Sequence, residues 1–266
     1  MRFARVATTE GDMRDCRAVW KRPRDKYLLP QDEVHIWRAS LDWPSEYITR
    51  LQETLSLEER ERADRFYFSA DRTRHVIGRA LSRILLGHCL GITPGSVKFD
   101  CGARGKPSLA VNLRRASLNF NVSHSGDFVL VGLAYNRDLG IDIERICTNI
   151  DAEGIAERVF SVRERLSLAV LPVGMRCDAF FACWTRKEAY VKARGDGLNL
   201  ALDAFDVAFL PGQEPRLVET RHDPAEARRW ILRDLEAGPN YRAALAVEGP
   251  DLRLKCWDWL GELPPE

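Results

Sequence analysis

The sequence predicts an α+β fold, and two observations carry that prediction. Val76, Ile77, Ala80, Leu81, Ile84 and Leu85 recur at helical spacing in one long segment, and residues 178–194 form a second long helical segment. Around them lie short runs with period-two alternation, bounded by turn residues. Each half of the chain thus holds one long helix and several antiparallel-looking strands, with no internal sequence repeat strong enough to prove a duplication.

Taken in order, EVHIWRASL (33–41) alternates well enough for a first strand. Residues 44–64 are helical in pattern, and Ser56 with Glu59 three positions on forms a capping box that starts a helix at Leu57. The helix of 65–92 is ended by Gly91 and Pro94. Strands follow near 96–100, 108–111, 117–122 and 127–134, with turns at 102–105 and 125–126. The second half opens near Asn136: GIDIERI is a strand, 151–170 one or two helices, and 178–194 a helix stopped by Gly195 and Gly197. Strands recur near 204–210, 229–234 and 241–247.

At 266 residues the chain can bury a substantial core as one large or two small domains. A composition of 45% hydrophobic and 30% charged residues is that of a soluble globular protein. With 40 basic and 39 acidic residues the net charge is +1, so no global field attracts nucleic acid, and anion binding has to come from a local cluster. Seven cysteines with no CxxC pair and no Cys/His metal spacing read as reduced thiols of a cytoplasmic protein. No run approaches the apolar length that a membrane span needs. Residues 1–31 are basic but contain Glu10, Asp12, Asp15 and Asp25 and lack an apolar signal-peptide core, so they read as an N-terminal extension.

Two short segments stand out chemically: GIDIE, from Gly140 to Glu144, and WTRKEAYVK, from Trp184 to Lys192. Asp142 and Glu144, two apart on a strand, share one face of the sheet. Trp184, Glu188 and Lys192 step by four along one helix face. Together they offer three carboxylates and one ammonium. Magnesium on a diphosphate asks for that set: a few hard oxygen ligands, open positions, and a cation for the remaining phosphate charge. On the residues alone, a solvated strand edge and a surface ion pair of Glu188 with Lys187 or Lys192 account for the same spacing.

The paired motifs resemble the signature of the 4′-phosphopantetheinyl transferases of the surfactin-synthetase-activating type, a G-[IV]-D-[IV]-E strand followed by W-[ST]-x-K-E-[AS]-x-x-K. ARGKP (103–107) and FNVSHSGDFVLVGLA (120–134) also fit, and the resemblance covers residues 32–247. It implies two similar α+β subdomains related by a pseudo-two-fold, 32–135 and 136–266, with the metal site at their interface. It further implies an enzyme with holo-[acyl-carrier-protein] synthase activity. The phosphopantetheine arm of coenzyme A, the co-substrate, moves to a serine of an apo acyl carrier or peptidyl carrier protein of fatty acid, polyketide or nonribosomal peptide synthesis, and 3′,5′-ADP leaves. Mg²⁺, or Mn²⁺ in its place, is the implied cofactor. Asp142, Glu144 and Glu188 are then the metal ligands, with Glu188 as ligand, catalytic base or both. Lys192 is the second catalytic residue, and Asp142 and Lys192 also belong to the coenzyme A site.

Coenzyme A carries an extra 3′-phosphate, so the resemblance implies a second basic cluster. Arg60, Arg62, Arg65, Arg72, Arg74, His75 and Arg79 are candidates, and Arg62 and His75 fall at matching motif positions. Glu59 stands where some relatives have a lysine, and His75 replaces a small hydroxylated residue, which implies a 3′-phosphate grip that is either weaker or built from other arginines. Lys106 and Pro107 match a loop against the adenine. Ser123 and His124 match contacts to the adenine end and the 3′-phosphate. Trp184 reads as a core anchor. Arg163, Arg165, Leu166, Leu168 and Met175 offer a basic and apolar surface for the carrier. The protein is expected to be a monomer that binds neither nucleic acid nor membrane. Two other classes fit parts of the pattern: a coenzyme-A- and carrier-binding protein without turnover, and a metal-dependent nucleotide hydrolase. The GKP and SHS segments disfavour the hydrolase, and intact Asp142, Glu188 and Lys192 disfavour the binder.

Overall fold

Alternation places successive side chains of EVHIWRAS on opposite faces of a strand, and the run from Val34 to Trp37 is buried on both. That double burial sets the architecture of the computed structural model, which describes residues 19–23, 28–101, 107–195 and 200–261. A short strand β1 (Trp20–Lys21) precedes β2 (Glu33–Ser40), followed by α1 (Ser45–Glu53), α2 (Leu57–Asp64) and α3 (Ser69–Leu90). The capping box forms as expected: the Glu59 N–H donates to Ser56 Oγ, and the Ser56 N–H donates to Glu59 Oε2 at 2.9 Å. The helix predicted from residue 65 starts instead at Ser69, because Phe68 is held in extended backbone as the residue before it. Gly91, in the left-handed region at φ 66°, ends it. Strands β3 (Phe99–Cys101), β4 (Pro107–Leu109), β5 (Leu118–Ser125) and β6 (Phe128–Tyr135) complete this half.

The second half runs β7 (Leu139–Arg145), α4 (Ala152–Val159), α5 (Val162–Ala169), α6 (Val173–Arg194), β8 (Phe205–Ala208), β9 (Arg216–Thr220), α7 (Glu226–Arg229), β10 (Trp230–Asp234) and β11 (Tyr241–Glu248). The same plan therefore occurs twice: a strand, two short helices, a helix of 22 residues, a two-stranded ribbon, and a hairpin. Pairing repeats as well. β2 lies antiparallel to β6 and β6 to β5, just as β7 lies antiparallel to β11 and β11 to β10. Topology thus shows a repetition that the residues themselves do not.

One element breaks the symmetry. β12 (Arg253–Asp258) follows the second half but pairs parallel with β2, and β1 pairs parallel with β12. The two main sheets are consequently β1-β12-β2-β6-β5 and β10-β11-β7. Their inner faces press together through Val34, Ile36, Leu130, Ile141, Ile143 and Leu245. α3 covers the outer face of the first sheet with Ile77, Leu81 and Leu85 against Trp37 and Val131, and α6 covers the second with Phe180 and Tyr190 in one core with Trp230 and Leu232. Strands buried on both faces read as continuous apolar runs, as VLVGLA in β6 does. Among the described residues no helix is long and apolar enough to cross a membrane.

Candidate functional site

Where the two sheets meet edge to edge, side chains replace the usual backbone ladder. Asn121, Ser123 and Ser125 alternate along β5 and turn toward β7. Asn121 Oδ1 accepts from the Ile141 N–H at 2.9 Å, Ser123 Oγ from the Ile143 N–H at 3.3 Å, and Ser125 Oγ from the Arg145 N–H at 3.0 Å. The two hydroxyls also donate onward. Ser123 Oγ reaches Asp142 Oδ1 at 3.0 Å, and Ser125 Oγ reaches Glu144 Oε2 at 2.8 Å.

Behind β7 lies α6, at a separation that only glycine allows. A Cβ at Gly140 would overlap the backbone of Ala189, Lys192 and Ala193. This close approach explains why the GIDIE segment begins with glycine. It carries Lys192 Nζ to 2.6 Å from Asp142 Oδ1 and 3.0 Å from Ser123 Oγ. The four expected residues Asp142, Glu144, Glu188 and Lys192 are therefore brought into one neighbourhood, with Ser123 among them.

The electrostatics of that neighbourhood are unfavourable as they stand. Asp142 is 3% exposed; its Oδ1 takes both donors, while Oδ2 is buried with no hydrogen-bond partner. Burial pushes the Asp142 carboxyl upward, opposed by Lys192 and Ser123. Burial and then the Asp142 charge raise Glu144, with Ser125 and Lys192 opposing. Glu188 is raised by burial first and by Asp142 next, with Lys192 opposing and Glu144 adding to the rise. Among the described residues no group of three His, Cys, Asp or Glu side chains is gathered closely enough to hold an ion as it stands, and Lys192 sits on Asp142 instead. The donor chemistry nevertheless fits a hard divalent cation: all-oxygen carboxylates that repel one another, one with a buried oxygen unpartnered.

On the other face of β5 a cavity of about 260 Å³ opens against α3. Arg62, His75, Pro107 and His124 all line it, joined by Phe66, Arg74 and Arg79. Strand alternation sends Val122 and His124 into the cavity and Ser123 and Ser125 toward β7. Ser123, expected at the adenine end, is thus placed in the carboxylate cluster and not on the cavity wall. Lys106, the turn at 102–105 and Gly197 lie outside the described residues. Arg60, Arg65 and Arg72 are not on the cavity wall either, and Arg72 pairs with Asp64 at 2.9 Å.

Glu59 has a structural task. Besides capping α2, it accepts from Arg83 at 2.7 Å and faces Arg79 at 3.8 Å. The His75 Nε2–H donates to the Glu59 carbonyl at 3.2 Å, while burial and then Arg79 and Arg62 hold the imidazole below its ordinary range. Burial likewise lowers His124, reinforced by Arg74 and Lys192. Because His124 responds to Lys192, the cavity and the carboxylate cluster are neighbours.

The remaining expectations separate cleanly. Trp184 stacks on Phe180 with ring centroids 6.0 Å apart, as a core anchor would. Lys187 is fully buried, 2.8 Å from Glu164 Oε1, and donates to the Phe205 carbonyl at 2.6 Å. On the proposed carrier surface, Leu166 and Met175 are exposed, but Leu168 belongs to the core. Asn121 and Ser125 were not singled out by sequence reasoning, although the period of two through NVSHS already placed them on the same face as Ser123.

Residues 138–246 match the family described as the 4′-phosphopantetheinyl transferase superfamily, and residues 37–135 match the N-terminal 4′-phosphopantetheinyl transferase family. The chain is 40% identical to the 4′-phosphopantetheinyl transferase HetI of Nostoc sp., over 90% of this chain and 98% of that one. It is 31% identical to the 4′-phosphopantetheinyl transferase Sfp of Bacillus subtilis, over 76% of this chain and 86% of that one. Identity to the 4′-phosphopantetheinyl transferase psf-1 of Bacillus pumilus is 32%, over 76% and 83% respectively.

Proposed function

Since the chain belongs to the 4′-phosphopantetheinyl transferase superfamily, we propose that it moves the phosphopantetheine arm of coenzyme A onto a serine of an apo acyl or peptidyl carrier protein, in a Mg²⁺-dependent reaction. The observation that carries this reading is the two-faced strand β5. One face presents His124 to a cavity rich in arginine, and the other holds Asp142 and Glu144 through Ser123 and Ser125. A substrate with a phosphorylated nucleoside at one end and a diphosphate a short distance away spans both.

In that reading Arg62, Arg74 and Arg79, with His75 and His124, hold the 3′-phosphate and nucleoside, flanked by Pro107 and by Lys106. Asp142, Glu144 and Glu188 would hold Mg²⁺ or Mn²⁺, which when bound supplies charge neutralisation on the diphosphate. Lys192, with its side chain 30% exposed at the rim, adds a positive charge for the same oxygens. The carrier serine Oγ bonds to the β-phosphorus while the bond from that phosphorus to the bridging oxygen breaks, and 3′,5′-ADP leaves with the electron pair. The serine proton passes to Glu188, a carboxylate that burial and the neighbouring Asp142 charge make more basic than an exposed glutamate. Ligand and base compete for that one carboxylate. The carrier would dock beside α5, where Leu166 and Met175 are exposed near Arg163 and Arg165. A monomer in the cytoplasm completes the reading, in keeping with the free thiols of Cys147, Cys177, Cys183 and Cys256.

The test is intact-protein mass spectrometry of a panel of apo carrier proteins incubated with this protein and coenzyme A, with magnesium or with a chelator. A magnesium-dependent gain of one phosphopantetheine arm is expected. Binding of coenzyme A without any gain would point to a carrier-binding protein, and consumption of coenzyme A without a carrier to a hydrolase.

A further inference from the structure

The three polar residues that β5 turns toward β7 are not equivalent. Asn121 meets the Ile141 N–H. Ser123 is absorbed in the Asp142–Lys192 group. Ser125 stands outside that group, and its hydroxyl makes one bond in each direction: it accepts from the Arg145 N–H at 3.0 Å and donates to Glu144 Oε2 at 2.8 Å. A serine hydroxyl has a single proton. With the backbone N–H occupying one side of the oxygen, that proton is committed to Glu144.

The donor is also rigidly mounted. Ser125 is the last residue of β5, and Gly126 after it turns the chain at φ 53°. Tyr241 Oη closes over this turn, accepting from the Asp127 N–H at 2.9 Å; a Cβ at Gly126 would collide with that hydroxyl. Tyr241 is itself the register partner of Arg145 in the β11–β7 pair. The turn is therefore clamped by the same strand pair that carries Glu144. On the α6 side the Trp184 indole is a second, weaker polar neighbour of the same carboxylate.

We propose that Ser125 is a positioning residue for Glu144. It pins Oε2 by a hydrogen bond and so leaves Oε1 to the ion. A glutamate near the end of a strand otherwise samples several rotamers, and ordering it at the moment of ion binding costs affinity. The inference rests on the metal assignment proposed above.

Ser125→Ala and Ser125→Thr test it, with Mn²⁺ as the probe, its binding in the presence of coenzyme A followed by electron paramagnetic resonance. Ser125→Ala is expected to weaken Mn²⁺ binding about 10- to 100-fold. The magnesium concentration for half-maximal transfer should rise in parallel, while affinity for 3′,5′-ADP and the melting temperature stay near wild type. Only the Arg145 N–H loses its acceptor, and it lies where water replaces it. Ser125→Thr keeps the hydroxyl and should restore Mn²⁺ binding. Wild-type Mn²⁺ affinity in Ser125→Ala overturns the proposal. So does an equal loss in both variants accompanied by a lower melting temperature, which would mark a packing role. If the wild-type protein takes up no Mn²⁺ with coenzyme A, the metal assignment falls and the Ser125 role falls with it, a result distinct from a wild type that binds and an alanine variant that binds equally well.

Discussion

Burial raises the pKa of Asp142, Glu144 and Glu188, and the Asp142 charge raises the two glutamates further, so holding the three together opposes folding. Strain of this kind belongs to a site that is completed by a cation and is relieved when a charge is removed. Glu188→Gln should therefore abolish transfer while leaving the melting temperature unchanged or higher. A mass-spectrometric transfer assay beside differential scanning calorimetry checks both halves, and wild-type turnover would remove Glu188 from the mechanism. Lys192→Ala is a poorer probe, because it strips the charge partner from a carboxylate that is 3% exposed. Two periodicities, two along β7 and four along α6, put each set of side chains on one face, and the family resemblance implied that the two faces share a site. Ser123 lies in the carboxylate cluster. Its neighbour His124 does face the cavity, and motif matching treated the pair as a unit, whereas a strand sends adjacent side chains to opposite faces.

Among the elements, β7 and α6 decide whether a site exists at all. Gly140→Ala places a methyl group against the backbone of α6 and must push the strand and helix apart. Urea denaturation should show a loss of about 1–3 kcal/mol or more, and transfer should fall further than stability, since Lys192 would no longer reach Asp142. Behind the helix, Lys187 and Glu164 are 0% and 2% exposed at 2.8 Å. Lys187→Met leaves the Glu164 carboxylate without its cation in the core, held only by the Ser161 and Val207 N–H groups, an expected cost of about 3–5 kcal/mol. Adding Glu164→Gln, which removes the charge and keeps a side-chain acceptor, should recover part of it, which a double-mutant cycle measures. Helical spacing gave the direction of the Lys187 side chain and not the partner, Glu164, that waits there. Strands β9 and β12 escaped prediction altogether. Their residues, RLVET and RLKCWD, mix charge into short runs, so neither alternation nor an apolar run marks them.

At the scale of the molecule, one plan is used twice with opposite chemistry. α3 turns Arg74, His75 and Arg79 to an arginine-rich cavity, while its counterpart α6 turns Glu188 and Lys192 to the carboxylate cluster. Divergence of the two working faces is why pairing order reveals a repeat that residue identity hides. The whole fold also carries a pH dependence through His35. This side chain is 2% exposed on β2, 2.8 Å from Glu33, and burial holds its pKa below the ordinary 6.5 despite that carboxylate. A lowered folded-state pKa means the stabilising form is the neutral ring. Its contribution is complete above about pH 6.5 and is lost as pH falls through the folded value. The melting temperature should drop on acidification more steeply in wild type than in His35→Gln, as calorimetry between pH 7 and pH 5 would show.

The return of β12 to lie parallel beside β2 has a consequence for a chain cut between β6 and β7. The first fragment would keep β2 with its outer edge bare, and the second would carry the strand that fits there. Each piece would be incomplete in a way that only the other repairs. Mixed together, they should reassemble by strand donation and regain transfer, whereas the first fragment alone should polymerise along its open edge.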